Sequence, residues 1–234
     1  MAPSPSAASD LGTAAVRVWD LPTRLFHWTL ATAVVGSVIS AKIGGNAMVW
    51  HFRLGALVLA LLAFRVLWGL VGGRWSRFAS FIYAPATVLR YLRGPTRPDE
   101  HLDVGHNPLG SASVFALLGF LVLQVATGLV ADDEIANVGP LNRFASAGLV
   151  ARASSWHKEY GQWLLIALVL LHVAAIVFYF VRKRQNLVRP MLSGDKLLPA
   201  GTPASADGLP QRLLAALLFA ACGAVAAWVL SLGG

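Results

Sequence analysis

The sequence has little charge and almost no cysteine, and each shortage excludes a class of protein. Only 13% of its 234 residues are charged, about half the usual share in a soluble domain. The single cysteine, Cys222, excludes a disulfide framework, a cysteine-based zinc site and an iron–sulfur cluster within this chain. The sequence also has no Cys-x-x-Cys-His motif, which excludes covalently attached haem.

The first 16 residues lack the basic start and apolar core of a cleaved signal peptide. They are rich in alanine, serine and proline, so residues 1–16 are predicted to form a disordered N-terminal tail. The net charge of +8 does not indicate a nucleic-acid-binding protein, because the basic residues lie between apolar runs, where membrane topology signals occur.

What the chain does contain is hydrophobic sequence, 56% of its residues, arranged in recurring runs of near-membrane length. Runs of about 20 apolar residues are typical of membrane-spanning helices. The sequence predicts an all-α polytopic membrane protein with spans at about 25–41, 48–71, 108–131, 156–182 and 213–230. The segments between and after them are predicted as an interfacial segment at 74–105, an outer loop at 132–154, a linker at 196–210 and an extra transmembrane helix within 211–234.

The distribution of lysine and arginine predicts the orientation. The tail, the 65–106 region and the 182–212 region hold fourteen of these residues, and the opposite side holds five: Lys42, Arg53, Arg143, Arg152 and Lys158. The positive-inside rule then predicts a cytoplasmic N-terminus and, after five spans, a C-terminus on the outer side of a membrane. This topology predicts a multi-pass membrane protein.

Four histidines fall near the ends of these spans, at two depths. His27 begins the first span and His51 the second, so the alternating helix direction predicts positions near opposite faces. His157 and His172 lie at the two ends of the fourth span, roughly 22 Å apart and about 60° from the same helix face. The sequence therefore predicts an inner pair, His27 with His172, and an outer pair, His51 with His157.

Two imidazoles from different helices at one depth are what axial ligation of a haem iron requires. Ionisable residues inside spans are costly and are usually functional. A histidine proton relay is an alternative, but it would need membrane carboxylates, and the interiors of the first four spans contain none. A zinc site would be two ligands short at either level. A histidine-based transporter is disfavoured because broken helices and internal repeats are lacking.

Three segments of the chain resemble the prokaryotic cytochrome b561 family, which is similar to the b-type cytochrome subunits of nickel–iron hydrogenases. They are Val18-Trp19-Asp20 with Pro22-Thr23-Arg24-Leu25-Phe26-His27-Trp28, then Phe64-Arg65-Val66-Leu67-Trp68-Gly69, and then Gly105-His106-Asn107-Pro108-Leu109-Gly110. The resemblance implies a four-helix transmembrane haem bundle over residues 17–195, with the fifth helix extra to it. It also implies two non-covalent b haems, with His27, His51, His157 and His172 as their ligands. A prokaryotic family further implies the bacterial inner membrane, with the outer C-terminus in the periplasm.

Cationic groups near each pair are candidate partners for the anionic haem propionates. They are Arg53 and Lys158 on the outer side, and Arg24 and His106 on the inner side. His106 is also a candidate hydrogen-bond partner for a quinone carbonyl.

The expected function is electron transfer between a quinone, ubiquinone or menaquinone, and a redox partner. The redox partner is expected to be a periplasmic c-type cytochrome, a hydrogenase-like subunit or superoxide. The acidic run Asp132-Asp133-Glu134 is either a docking surface for a basic partner or a solvated helix end. The alternative function is a non-catalytic membrane anchor for a redox or sensory partner, which haem content would distinguish.

Overall fold

The computed structural model describes residues 12–94 and 102–233, so most of the predicted N-terminal tail lies outside the described residues. Within these ranges, five helical segments are long and apolar enough to cross a bilayer, which confirms the predicted all-α multi-pass membrane fold. The helices are α1 Leu21–Ile43, α2 Met48–Val71, α3 Pro85–Arg93, α4 Pro108–Val130, α5 Ala147–Ser155, α6 Gln162–Arg182, α7 Val188–Ser193 and α8 Leu209–Ser231. The two strands are β1 Thr13–Arg17 and β2 Asp195–Pro199.

Short polar residues and prolines start the first and third spans. The Asp20 side chain accepts a hydrogen bond from Thr23 N at the start of α1, and the Asn107 side chain accepts one from Gly110 N at the start of α4. Both helices have a proline in their first turn, where its missing N–H costs nothing. At its other end α1 stops at Gly44, which has a positive φ of 67° and lets the chain turn directly towards α2.

The fourth span is longer than predicted and begins earlier. A helix start after Ser154 and Ser155 was wrong, because α5 begins at Ala147 and runs without a break into α6 through a π-helical turn, Trp156–Gly161. The hydroxyl of Ser154 accepts a hydrogen bond from Asp132 N while its backbone stays helical, so this serine joins the outer loop to the helix. The 36 residues of this span extend about 54 Å, well beyond a hydrocarbon thickness of about 30 Å.

A buried apolar layer lies between the two histidine levels at the centre of the bundle. Four helices contribute to it: Ala33 from α1, Val58 and Leu62 from α2, Leu121 from α4 and Leu165 from α6. These helices therefore pack together at the middle of the bundle, and the histidine pairs lie on either side of this apolar layer.

The fifth span, α8, packs against α2. Its buried contact residues are small, Ala215, Cys222 and Ala226, and they meet Phe64 and Trp68 of α2 in one cluster. Small residues let membrane helices approach closely where lipid offers no competing hydrophobic force. The extra helix is thus an integral neighbour of the four-helix bundle.

The N-terminal segment pairs with the segment that follows the fourth span, at the His27–His172 end of the bundle, where the sequence predicted a tail and a linker. Strand β1 pairs antiparallel with β2, with Thr13 opposite Pro199 and Arg17 opposite Asp195. Residues 13–16 are therefore ordered as a strand rather than a tail, and residues 196–199 belong to its partner. Neither strand has a local signal, because each is stabilised by a segment about 180 positions away. The segment predicted to be interfacial contains the buried side chain of Phe81 and, after it, the short helix α3.

Candidate functional site

The structure brings the four histidines together in the two predicted pairs. The imidazole centres of His27, in α1, and His172, in α6, are 6.5 Å apart. Those of His51, in α2, and His157, in the π-helical turn, are 6.0 Å apart. Each pair joins one of the first two spans to the long fourth span, at opposite ends of the apolar layer.

These separations fit two imidazoles that share one metal ion from opposite sides. A metal–nitrogen bond to histidine is about 2 Å and the nitrogen lies about 1 Å from its ring centre, so the expected separation is roughly 6 Å. Among the residues that the structure describes, no group of three or more His, Cys, Asp or Glu side chains could hold a metal ion. The geometry therefore fits a bis-histidine haem iron, whose remaining ligands come from the porphyrin, and not a four-ligand zinc site.

Hydrogen bonds hold both outer histidines in one tautomer. His51 Nδ1 lies 2.9 Å from the backbone oxygen of Ser37, and His157 Nδ1 lies 2.8 Å from that of Gln124. A carbonyl oxygen only accepts, so each Nδ1 carries the proton and donates it. Each Nε2 is then the lone-pair nitrogen, which is the usual arrangement of a histidine that binds a metal.

Two glycines make room for the outer site. A Cβ added at Gly128 of α4 would lie 2.6 Å from Cε1 of His157, and one at Gly161 would overlap the side-chain oxygen of Gln124. The absence of side chains at these two positions lets α4 approach the π-helical turn closely. Gln124 uses this proximity and donates from Nε2 to the backbone oxygen of His157, at 3.0 Å.

A cavity of about 830 Å³ adjoins the outer pair. This volume is within the range of pockets that hold cofactors and drug-sized ligands. Its lining includes His51, His157 and Lys158, with Gly55 and Gly128 on two of its sides. The outer level thus has room for a large planar group beside the paired imidazoles.

Several buried polar atoms at the inner end of the bundle have no hydrogen-bond partner among the described residues. His27 Nδ1, Arg24 Nε, His106 Nδ1 and Arg65 Nη1 are all buried and make no hydrogen bond to any described residue. His106 packs against the rings of Trp19 and Phe81, with ring-centre distances of 4.7 Å and 4.5 Å. Buried donors without an acceptor are rare in folded proteins, and each one calls for a ligand or another explanation.

The four predicted propionate partners are not equally placed. Lys158 lines the outer cavity and donates to the backbone oxygen of Asp132 at 3.2 Å. Arg53 is exposed, stacks on Trp50 at 5.2 Å and does not line that cavity. On the inner side, Arg24 donates from Nη1 to the backbone oxygen of Leu192 and keeps its Nε buried and unpaired.

The acidic run of the outer loop has a local structural role. The carboxylate of Asp133 accepts hydrogen bonds from the backbone N–H groups of Ile135, Ala136 and Asn137 and from the Asn137 side chain. These hydrogen bonds lower the pKa of Asp133. Asp133 therefore stabilises the fold of the loop. The other two acidic residues of the run are Asp132 and Glu134.

Sequence reasoning missed several residues of this site. Ser37, Gln124 and Gly128 contact the outer histidines, and Arg65 lies near the inner level. Gln124 and Arg65 carry a detectable signal, because a polar side chain within an apolar span is costly unless it has a partner. Ser37 contributes only its backbone oxygen, for which the sequence has no signal.

Comparison with known proteins agrees with this geometry. The family model described as prokaryotic cytochrome b561 matches residues 18–194. A probable Ni/Fe-hydrogenase B-type cytochrome subunit of Bradyrhizobium diazoefficiens is 23% identical, over 82% of this chain and 90% of that protein. Proteins of the same description are 27% identical in Cupriavidus necator, over 81% of this chain and 90% of the relative, and 25% identical in Escherichia coli, over 76% and 88%. No solved structure gives a significant match.

The family match covers well over half of the chain and includes all four paired histidines. The five apolar spans among the described residues agree with this match, because they make the chain a multi-pass membrane protein. The chain belongs to the prokaryotic cytochrome b561 family and is a membrane electron-transfer protein whose cofactor is haem b.

Proposed function

We propose that the chain binds two b haems, one near each membrane face, and passes electrons between them across the bilayer. His27 and His172 would hold the iron of the inner haem, and His51 and His157 would hold that of the outer haem. The observation that carries this proposal is the pair of imidazole separations, 6.5 Å and 6.0 Å, at opposite ends of one bundle. His157 and His172 are 15 positions apart, about 22 Å along a helix.

The protein contributes ligands and an environment to this reaction. Haem iron supplies reversible one-electron transfer, and two imidazole ligands leave no open position for oxygen. The outer pair has its tautomers set by Ser37 and Gln124, which holds both Nε2 atoms ready to bind iron. The apolar layer of Val58, Leu121 and Leu165 separates the two levels and excludes water between them.

We assign basic side chains near each pair, three cationic and one a neutral imidazole, to the haem propionates. Lys158 is the outer candidate that lines the cavity, and Arg53, which stacks on Trp50, does not line it. Arg24 and His106 are the inner candidates, and each has a buried nitrogen with no partner among the described residues. Binding a carboxylate would satisfy those nitrogens with charge-assisted hydrogen bonds.

The proposed orientation and partners are based on the predicted topology and on the descriptions of the relatives. The predicted orientation, with the N-terminus in the cytoplasm of a bacterium and the C-terminus in the periplasm, puts the inner haem near the cytoplasmic face of the inner membrane. Ubiquinone or menaquinone is the proposed lipid-soluble partner. The relatives are described as B-type cytochrome subunits of Ni/Fe-hydrogenases, which favours a hydrogenase-like subunit as the periplasmic partner over a c-type cytochrome or superoxide.

Haem content tests the proposal directly. The purified full-length chain should give two haem b per polypeptide by pyridine haemochrome, with the absorption bands of low-spin iron in both redox states. A chain that binds one haem, or one with an open, oxygen-binding iron, would contradict the two-level assignment. A chain with no haem would instead support the alternative of a membrane anchor. Reduction of both haems by a quinol analogue would then test the proposed quinone step.

A further inference from the structure

Arg65 is a buried cation near the inner end of α2. Arg65 is only 3% exposed, and its Nη1 makes no hydrogen bond to any described residue. The guanidinium lies over the ring of Phe78 at 4.6 Å and within 6.0 Å of the rings of Phe26 and Phe81. Aromatic faces attract a cation but accept no conventional hydrogen bond, so they leave Nη1 unsatisfied.

The nearest acidic group that interacts with Arg65 is already occupied. The carboxylate of Asp20 accepts hydrogen bonds from Thr23 N at 2.8 Å, Trp68 Nε1 at 3.1 Å, Gly73 N at 3.2 Å and Ser76 Oγ at 2.6 Å. It attracts Arg65 electrostatically but makes no hydrogen bond to it among the described residues. A buried arginine in this situation has both charge and a donor left for a further anion.

Arg65 lies close to the other unpaired donors of the inner level. Its ring neighbour Phe81 also packs on His106. The positive charge of Arg65 acts on His106: burial first, and then Arg65, lower the pKa of His106 to about 3. His106 is thus a neutral imidazole beside a permanent cation, and it also lies near the inner pair, His27 and His172. Arg65 lies 6.0 Å from the ring of Phe26, which is the sequence neighbour of His27.

We propose that Arg65 is the charge partner of the inner haem, which rests on the proposed assignment of that haem to His27 and His172. Its Nη1 and the imidazole of His106 bind one propionate carboxylate. Its positive charge also favours the reduced iron, because reduction removes one positive charge from the haem and relieves repulsion at low dielectric. Arg65 therefore holds the inner haem at a higher potential than the ligands alone would give.

Redox titration of substituted chains tests this role. Arg65→Met removes the charge and keeps much of the apolar volume, and Arg65→Lys keeps the charge. Arg74→Met is the matched control, because Arg74 is an exposed arginine at the same end of α2 that stacks on Trp75. Each change is made in full-length protein, and again in a His157→Ala chain, which isolates the inner haem.

The expected result is a selective shift. Arg65→Met should lower the reduced-to-oxidised ratio of the inner haem at fixed potential about tenfold, which is about 59 mV for a one-electron couple. Arg65→Lys should shift it much less, and Arg74→Met should leave it unchanged, with the outer haem unaffected in all three. If Arg65→Met loses the inner haem altogether, retention of that haem in Arg65→Lys supports the proposal.

Other outcomes would overturn it. An unchanged inner potential in Arg65→Met, equal shifts in the methionine and lysine variants, or loss of the inner haem from both would show that charge is not what Arg65 contributes. In each of these cases the unsubstituted chain still binds two haems, so the proposed function stands. Failure of the unsubstituted chain to bind two haems would instead contradict the proposed function itself.

Discussion

His157 and Gln124 are joined by two hydrogen bonds that run in opposite directions between α4 and the π-helical turn. His157 Nδ1 donates to the backbone oxygen of Gln124 at 2.8 Å, and Gln124 Nε2 donates to the backbone oxygen of His157 at 3.0 Å. The first bond sets the imidazole tautomer, and the second gives the backbone oxygen of His157 a side-chain donor from α4. Such turns occur frequently at functional sites, and here one positions a candidate ligand.

Removing one histidine of each pair should remove one haem. His172→Ala is expected to lower the haem content from two to one per polypeptide and to leave the outer haem intact, because the remaining pair lies on other residues at the opposite end of the bundle. His157→Ala should do the reverse. Pyridine haemochrome and the redox titration of each variant measure this. Loss of neither haem, or of both from a chain that remains folded, would contradict the pairing.

Adding one methyl group at Gly128 should disturb the outer site alone. A Cβ there would lie 2.6 Å from Cε1 of His157, so the ring must move in Gly128→Ala. Disturbing the support of a metal ligand typically lowers affinity about 10-fold or more, and we expect a weakened outer haem and an unchanged inner one. Gly119→Ala is the matched control in the same helix, since its Cβ would meet nothing within 4 Å. Equal haem retention in both variants would refute this account.

Asp20 should be important for the stability of the inner end. Its buried carboxylate accepts four hydrogen bonds, including those from Trp68, Gly73 and Ser76. Asp20→Ala would leave these donors unsatisfied, and we expect a loss of about 3–5 kcal/mol in the free energy of unfolding. Asp20→Asn keeps one acceptor oxygen and should lose less. Thermal unfolding in detergent, followed by circular dichroism, compares the two; equal loss would argue against a hydrogen-bonding role.

The packing of the N-terminal segment against the start of α8 should depend on pH through Asp207, which accepts hydrogen bonds from Arg17, Leu21 N and Arg212. Burial acts to raise the pKa of Asp207, but hydrogen bonds from Arg212 and from Leu21 N, together with the charges of Arg212 and Arg17, lower it overall. A lowered pKa in the folded state means that the ionised carboxylate stabilises the fold above the ordinary aspartate pKa of about 3.9. This contribution is lost as the pH falls through the lower folded value.

Asp207→Asn should therefore be less stable than the unsubstituted chain at pH 7, and the gap should narrow as the pH falls below about 4. Thermal unfolding between pH 7 and pH 3 measures the gap. High salt should also reduce it, because the Arg212 partner is exposed. A gap that stays constant with pH would show that the ionised carboxylate contributes nothing.

The predicted helical membrane fold was recoverable because its signal is local. Apolar runs near 20 residues and the distribution of basic residues each depend on neighbouring positions. The Asp20 cap was not predicted, and α1 begins at Leu21, earlier than the predicted start near residue 25. The two-level grouping of histidines also follows from sequence, since helix direction alternates from one span to the next. The start of the fourth span was wrong, because a serine pair resembles a helix cap whether or not its hydroxyls bond elsewhere.

By itself, the sequence determined that the chain spans a membrane and that its four histidines sort into two depths, because helix length and periodicity depend on neighbouring residues. Only the tertiary structure decided what surrounds them. Ser37 offers a backbone oxygen to His51, Gly128 leaves space for His157, and Arg65 comes near His106. These are contacts between helices whose side chains and carbonyls meet only once rotation and depth are set by packing, and no pattern along one helix encodes that relation.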